Sequence, residues 1–154
     1  MKRHIYNPGG IGKRYRRYRW FLTCFLASGA LLFIALSGRA SAANIEVNSL
    51  TDNGTGGCEL REAIDSANGD ADSGGCVATN LPYGADTITF STGAGTITLG
   101  STLPTITDAD GLTIDGGSLV TISGNSAVQV FVVNALASLT LENLTVENGL
   151  TAGI

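Results

Sequence analysis

Three aspartates in one short segment, Asp108, Asp110 and Asp115, are the side chains of this sequence best placed for catalysis. Two carboxylates at a suitable separation hydrolyse glycosidic bonds, one as acid and the other as base or nucleophile. Gly111 and Gly116 directly follow two of these aspartates, and an aspartate beside glycine commonly bonds its own backbone in a turn. We therefore interpret the segment as a turn and predict no catalytic residue in it.

The residue types missing after position 42 exclude several reactions. That part of the chain has no His, Lys, Trp or Met, which excludes Ser-His-Asp and Cys-His hydrolases and zinc sites built on histidine. A polysaccharide lyase needs a base, and the only cationic side chain there is Arg61, in a predicted helix. The aromatic residues are few as well (Tyr83, Phe90 and Phe131), and both Phe are predicted core. The sequence predicts a non-enzymatic protein without a cofactor.

One segment partly matches a calcium-binding loop. Asp70 and Asp72 correspond to the first two acids of that pattern, but the third acid and the closing glutamate are missing. We predict a polar surface loop and no metal site.

Threonines suggest a second kind of binding surface, a flat array for ice or crystals. Thr87, Thr96 and Thr105 fall in three different predicted strands, and only Thr113 and Thr140 follow on one of those faces. We predict ordinary outward-facing strand residues.

Residues 1–42 have the three parts of a secretory signal peptide. A basic head precedes an apolar run of 18 residues from Trp20, and the small-residue sequence Ala40-Ser41-Ala42 follows. We predict cleavage after Ala42, with Cys24 as an apolar filler. The alternative is an uncleaved membrane anchor, since 18 residues border on a spanning length. Both interpretations place the rest of the chain outside the cytoplasm, secreted or at the cell surface.

Charge is distributed unevenly along the chain. All thirteen acidic residues follow Ala42, whereas eight of the nine basic residues precede it. A surface this acidic repels phosphate backbones, so nucleic acid is excluded as a partner. The expected partners are a surface glycan or a host-surface ligand, and the leader engages the membrane during export only.

Residues 43–85 predict a cap made of a short strand, loops and one helix. Ile45 and Val47 alternate with polar neighbours, as in a strand. Asn68-Gly69 is a stop signal for the helix, and Arg61 is expected to pair with Asp65 at i+4. The residues assigned to the predicted cap helix are Leu60, Arg61, Glu62, Ala63, Ile64 and Ala67. Leu60, Ala63, Ile64 and Ala67 form its one apolar stripe.

Two cysteines, Cys58 and Cys76, bracket the predicted helix. In an exported chain they favour a disulfide, which would stabilise the fold by roughly 3 kcal/mol. Two free thiols are the alternative.

Residues 86–154 consist of short segments in which apolar and polar residues alternate, the period of a strand with one buried face. The segments recur in three interleaved series at spacings of 23 to 27 residues, which predicts a parallel coil of three strands per turn. An antiparallel sandwich is the rival architecture. The series are Ile88/Phe90 with Leu112/Ile114 and Leu139/Leu141, Ile97/Leu99 with Val120/Ile122 and Leu144/Val146, and Ile106 with Val130.

The segment from Cys58 to Ile64 closely resembles the Cys-Ser-Leu-Arg-Glu-Ala motif of the CSLREA domain, with Glu59 as an apparently minor departure. The resemblance extends over roughly residues 44–150. It implies the N-terminal module of a large bacterial protein, secreted or on the bacterial cell surface, with a right-handed parallel β-helix. The fold class predicted for this chain is therefore mainly β, and the repeat spacing gives the β-helix about three turns behind the cap helix. It implies no reaction and no catalytic residue.

Together these features predict three parts: a signal peptide in 1–42, a cap in 43–85, and in 86–154 the start of a longer β-helix. The predicted function is a non-enzymatic, adhesin-like cap and first turns of a surface scaffold. The alternative is a polysaccharide-degrading lyase or glycosidase whose active site lies mostly beyond this fragment.

Overall fold

The computed structural model describes residues 42–151. The predicted leader before Ala42 and the end of the chain at Ile154 lie outside the described residues. Within 42–151, no helix has the length and apolarity needed to cross a membrane.

The fold is mainly β, with one short helix near its start. The strands form one six-stranded sheet, which is mixed because β1 and β2 pair antiparallel whereas the other pairs are parallel. In chain order the elements are β1 (Asn44–Val47), α1 (Leu60–Gly69), β2 (Ala78–Thr79), β3 (Asp86–Phe90), β4 (Gly95–Thr98), β5 (Leu112–Ser123) and β6 (Leu139–Glu147).

Strand β5 is the centre of the parallel pairing. Its first residues pair with β3, its last residues pair with β4, and β6 runs along its whole length. An isolated parallel bridge joins Ile106 to Val133. We call the segments that begin at β3, β5 and β6 the first layer (86–111), the second layer (112–138) and the third layer (139–150). Parallel pairing between successive layers excludes the antiparallel sandwich.

The predicted registers are correct between the second and third layers, where Leu112 pairs with Leu139 and Val120 with Leu144. They are wrong between the first and second layers in all three series. Ile97 pairs with Ile122 rather than with Val120. Ile88 pairs with Ile114 rather than with Leu112, so that Asp86 is the residue opposite Leu112. Ile106 pairs with Val133, not with Val130. The three errors have the same cause, because the connections between strands differ in length from layer to layer and apolar spacing alone does not reveal where the extra residues lie.

A bulge lets β5 turn a corner without ending. The register with β6 shifts between Asp115 and Val120, where β5 has more residues than its partner. Gly117 and Ser118 have φ of 59° and 63° at this point, in the left-handed region that glycine adopts readily. Gly116 lies so close to Leu144 that a β-carbon there would clash with it. Both glycines lie inside β5, at the corner, rather than after its end.

The core consists of inward-facing residues stacked from layer to layer. Branched side chains dominate it because they fill a pleated, buried face well. The cap helix contributes to the same cluster, and Phe90 and Phe131 pack against its margin, partly buried. The stacked, fully buried isoleucines are Ile45, Ile88 and Ile114 on one side and Ile97 and Ile122 on another.

Candidate functional site

The most elaborate set of polar contacts in residues 42–151 lies where the cap (43–85) meets the first layer. Different parts of the cap contact different parts of the first layer. Strand β1 pairs in parallel with β3. The side chain of Leu50 lies against Gly95 at the start of β4, and the Asp52 carboxylate accepts a hydrogen bond from Gly100 N at 2.9 Å.

Helix α1 covers the remaining part of the first layer. Its predicted apolar stripe, made of Leu60, Ala63, Ile64 and Ala67, is buried, which confirms the predicted helix and its orientation. The helix runs one residue past Asn68 to Gly69, and Asp70 ends it in a left-handed conformation with φ of 50°.

The predicted disulfide between Cys58 and Cys76 is present, with its Cα atoms 4.4 Å apart. Both cysteines are buried in the core. The bond ties the residue before the N-cap of α1 to the segment that follows the helix. The backbones flanking it are in close contact, since a β-carbon on Gly75 would overlap the carbonyl of Gly57.

Glu59, the residue that differs from the resembled motif, binds the loop before the helix through its carboxylate. Its side chain is fully buried and accepts hydrogen bonds from Thr51 Oγ1 at 2.6 Å, Asn53 N at 2.8 Å and Gly54 N at 2.9 Å. The position at which this chain differs from the resembled motif therefore has a structural role of its own. A sequence pattern could not show this role, because the donors lie in a loop without periodicity.

These bonds determine the charge state of Glu59. Burial alone would raise the pKa of its carboxyl, but the hydrogen bonds from Thr51, Gly54 and Asn53 together hold the pKa below its ordinary value. The folded protein therefore favours the carboxylate, and this contribution to stability is complete above the pKa of the unfolded chain. It is lost as the pH falls through the lower pKa of the folded chain.

We expect Glu59→Gln to lower the free energy of unfolding by about 2 kcal/mol at pH 7, because an amide NH₂ would face backbone donors. The difference between variant and wild type should shrink as the pH falls from 5 to 3. Urea unfolding across this range measures both. The control is Glu46→Gln, the same change at an exposed position of β1, and equal losses in the two variants would contradict the role of Glu59.

Arg61 binds a different carboxylate from the one predicted. Its guanidinium donates two hydrogen bonds to the carboxylate of Asp52, at 2.9 and 3.0 Å, rather than pairing with Asp65. It also donates to the backbone carbonyls of Ser101 and Thr102 in the first layer, at 3.0 and 2.9 Å. The planar guanidinium of arginine suits this position between two carbonyls and a carboxylate.

Asn68 makes a second polar contact at the other end of the helix. Its Nδ2 donates to the carbonyl of Thr105, and its Oδ1 accepts from Thr107 N at 2.7 Å and Asp108 N at 3.2 Å. The side-chain amide of Asn68 thus takes the place of a neighbouring strand, since residues 105–108 pair with no strand on this side within 42–151. Asn68, predicted as a stop signal for the helix, therefore also positions the helix on the first layer.

Two of the three candidate catalytic aspartates, Asp108 and Asp115, accept hydrogen bonds from the backbone of their own turns. Asp108 Oδ1 accepts from Asp110 N at 2.8 Å, and Asp115 Oδ1 accepts from Gly117 N and Asn143 Nδ2, both at 3.0 Å. The turn interpretation is confirmed for Asp108 and Asp115. Asp108 is 6% exposed, and burial raises the pKa of its carboxyl, as does the negative charge of Asp110.

The Asp70–Asp72 segment is a surface loop, as predicted. Asp72 Oδ1 accepts from Ala78 N at 3.0 Å and from the Tyr83 hydroxyl at 2.8 Å, which holds the loop against the start of β2. Between residues 42 and 151, no group of three or more acidic, His or Cys side chains is arranged to hold a metal ion.

Threonines align across layers more than the sequence suggested. Thr96, Thr121 and Thr145 are register partners, as are Thr87, Thr113 and Thr140. The expectation of isolated threonines is therefore wrong, since Thr121 and Thr145 were overlooked. Neither ladder widens into a threonine array through all three layers, because the neighbouring outward positions become acidic in the third layer, at Glu142 and Glu147.

Comparison of the chain with protein-family models, with curated proteins and with solved structures found no match.

Proposed function

We propose that this part of the chain is the N-terminal cap and first turns of a secreted or cell-surface scaffold, adhesin-like and non-enzymatic. In this proposal the layers wind as a right-handed parallel β-helix with three strands per turn. The parallel registers support the winding, and the resemblance of Cys58–Ile64 to the CSLREA motif supports the role of the cap.

The observation that carries the proposal is the difference between the two ends of the stack. The first layer is covered by β1, the Leu50–Asp52 loop and α1. The third layer has no such cover among the described residues, and the side chains of Leu141 and Val146, which continue the buried columns of the core, are 40% and 42% exposed. One end is closed by a cap, and the other end suits a further layer.

The surface chemistry supports binding rather than turnover. Two of the candidate aspartates, Asp108 and Asp115, are bonded in turns. Arg61, the single cation after Ala42, is bonded to Asp52 and two carbonyls. The outer faces have threonine ladders beside acidic residues, which offer hydroxyl groups and carboxylates to a polar ligand such as a glycan.

We expect the exported chain to bind polysaccharide without cleaving it. The test incubates it with neutral and acidic polysaccharides and measures both co-sedimentation and the release of new sugar ends. Cleavage abolished by Asp110→Asn, and kept in the matched control Asp65→Asn on the exposed helix face, would contradict the proposal. Cleavage that survives both changes would support the enzyme alternative, with its site elsewhere in the protein.

A further inference from the structure

A buried carboxylate stands where the fold would otherwise place an apolar side chain. Asp86 begins β3, and its register partner in the second layer is Leu112, a core residue. Asp86 is 0% exposed. Such a group is costly unless hydrogen bonds and an opposite charge compensate for the lost water.

Within residues 42–151, only one of the two carboxylate oxygens of Asp86 has hydrogen-bond partners. Asp86 Oδ1 accepts hydrogen bonds from Ala43 N and Gly84 N, both at 3.0 Å. Its Oδ2 is buried without a hydrogen-bond partner. Burial raises the pKa of Asp86, the two backbone N–H groups lower it in part, and the negative charges of Asp108 and Asp70 raise it further.

No side chain of the exported portion can supply the missing positive charge. Arg61 is the only cation after Ala42, and it is bonded to Asp52. The other titratable groups around Asp86 are Asp70, Asp108 and Tyr83, none of which is cationic. The nearest group that can become a cation is the backbone nitrogen of Ala43, already 3.0 Å from Oδ1.

We propose that cleavage between Ala42 and Ala43 turns this nitrogen into an α-ammonium group that forms a buried ion pair with Asp86. The inference rests on the proposed export, because the peptidase that removes the leader makes the cut. Water adds across the peptide bond, Ala42 leaves as a carboxylate, and the Ala43 nitrogen takes up the protons. One N–H donor becomes three, and the added donors serve Oδ2.

The surroundings of Ala43 suit this change. Ala42 is exposed whereas Ala43 is buried, so that the chain enters the core at the predicted cleavage point. The Ala43 carbonyl accepts a hydrogen bond from Thr87 N at 2.9 Å, which fixes the residue independently of Asp86. Hydrogen atoms replace the carbonyl carbon of Ala42, so the ammonium needs no more room than the amide.

The consequence is that a correctly cut chain is more stable than one cut a residue early. The pair raises the pKa of the ammonium, so its contribution is complete below the unfolded value of about 7.8 and is lost as the pH rises through the folded value. It lowers the pKa of Asp86, so the contribution is also lost at acid pH. The advantage of the correctly cut chain is greatest near pH 6.

The test compares the exported chain made to begin at Ala43 with the same chain made to begin at Ala42. At pH 6 the unfolding equilibrium constant should be at least tenfold smaller for the chain beginning at Ala43. The ¹³C shift of the Asp86 carboxyl should show a lower pKa in that chain. Equal stability and equal Asp86 pKa values in the two chains would overturn the ion pair and leave the proposed function standing.

Two variants and one analysis complete the test. Asp86→Asn should abolish the difference between the two chains, whereas Asp108→Asn, which removes a similarly buried carboxylate without contact to Ala43, should preserve it. If Asp86→Asn fails to fold, acetylation of Ala43 in the wild-type chain should remove the advantage. N-terminal sequencing of the protein exported by cells should begin at Ala43, and another start would overturn the maturation step but not the pair.

Discussion

Replacing Cys58 and Cys76 by alanine is expected to lower the free energy of unfolding by about 3 kcal/mol. The two cysteines are separated by 18 residues, and a closed loop of this size restricts the unfolded chain by about that amount in the chain-entropy model. For a domain of this size that is a large share of the total stability. The loop contains all of α1, so the loss should release the helix from the first layer before the layers separate.

Urea unfolding monitored by circular dichroism measures the loss. A reducing agent should destabilise the wild type to a similar extent and leave the double variant unchanged, which separates the covalent bond from the packing of the two sulfur atoms. The matched control is Val77→Ala, an apolar truncation at an exposed position next to Cys76. A wild type whose unfolding midpoint is the same with and without reductant would refute a stabilising role.

Ile64→Ala in α1 is expected to cost about 2 to 5 kcal/mol. Ile64 is fully buried in the cluster that joins the helix to the strands. Truncation removes its transfer free energy and leaves a cavity in a rigid core. Alanine is the better helix former, so any loss of stability reports packing against the layers rather than helix formation.

The adjacent residue provides the control. Asp65 lies on the exposed face of the same helix, and Asp65→Ala should change stability by less than about 0.5 kcal/mol. Weakening the cap uncovers backbone in the first layer, and open strand edges associate. Light scattering at 37 °C should therefore rise for Ile64→Ala only. Equal behaviour of the two variants would show that the helix is an appendage and not a lid.

Local pattern alone predicted most elements of this fold. The alternation around Ile97 and Ile122 and the stripe through Leu60 and Ile64 place apolar groups on one side of a strand or a helix, and burial of that side is the dominant favourable term in folding. The disulfide followed from two cysteines in a chain that is predicted to be exported. Turn aspartates such as Asp115 were predictable as well, because their partners lie two residues away.

Tertiary structure decided what depends on partners distant in the sequence. The pairing of Ile88 with Ile114, and of Ile106 with Val133, depends on how many residues each corner absorbs, and the bulge at Gly116 and Gly117 shows that corners differ. Hydrophobicity favours several registers of one alternating segment, and only the packed layers and their backbone hydrogen bonds select among them.

The polar contacts of the cap show the same division. Sequence spacing predicted a partner for Arg61 four residues away, at Asp65. In the folded chain Arg61 donates instead to Asp52 and to two backbone carbonyls some 40 residues after it. Asp86 is an unremarkable residue in the sequence, and its burial against Ala43 N becomes visible only in three dimensions. The sequence by itself determined which faces are buried, because that depends on side-chain polarity. The structure decided which charges meet, because that depends on how the loops close.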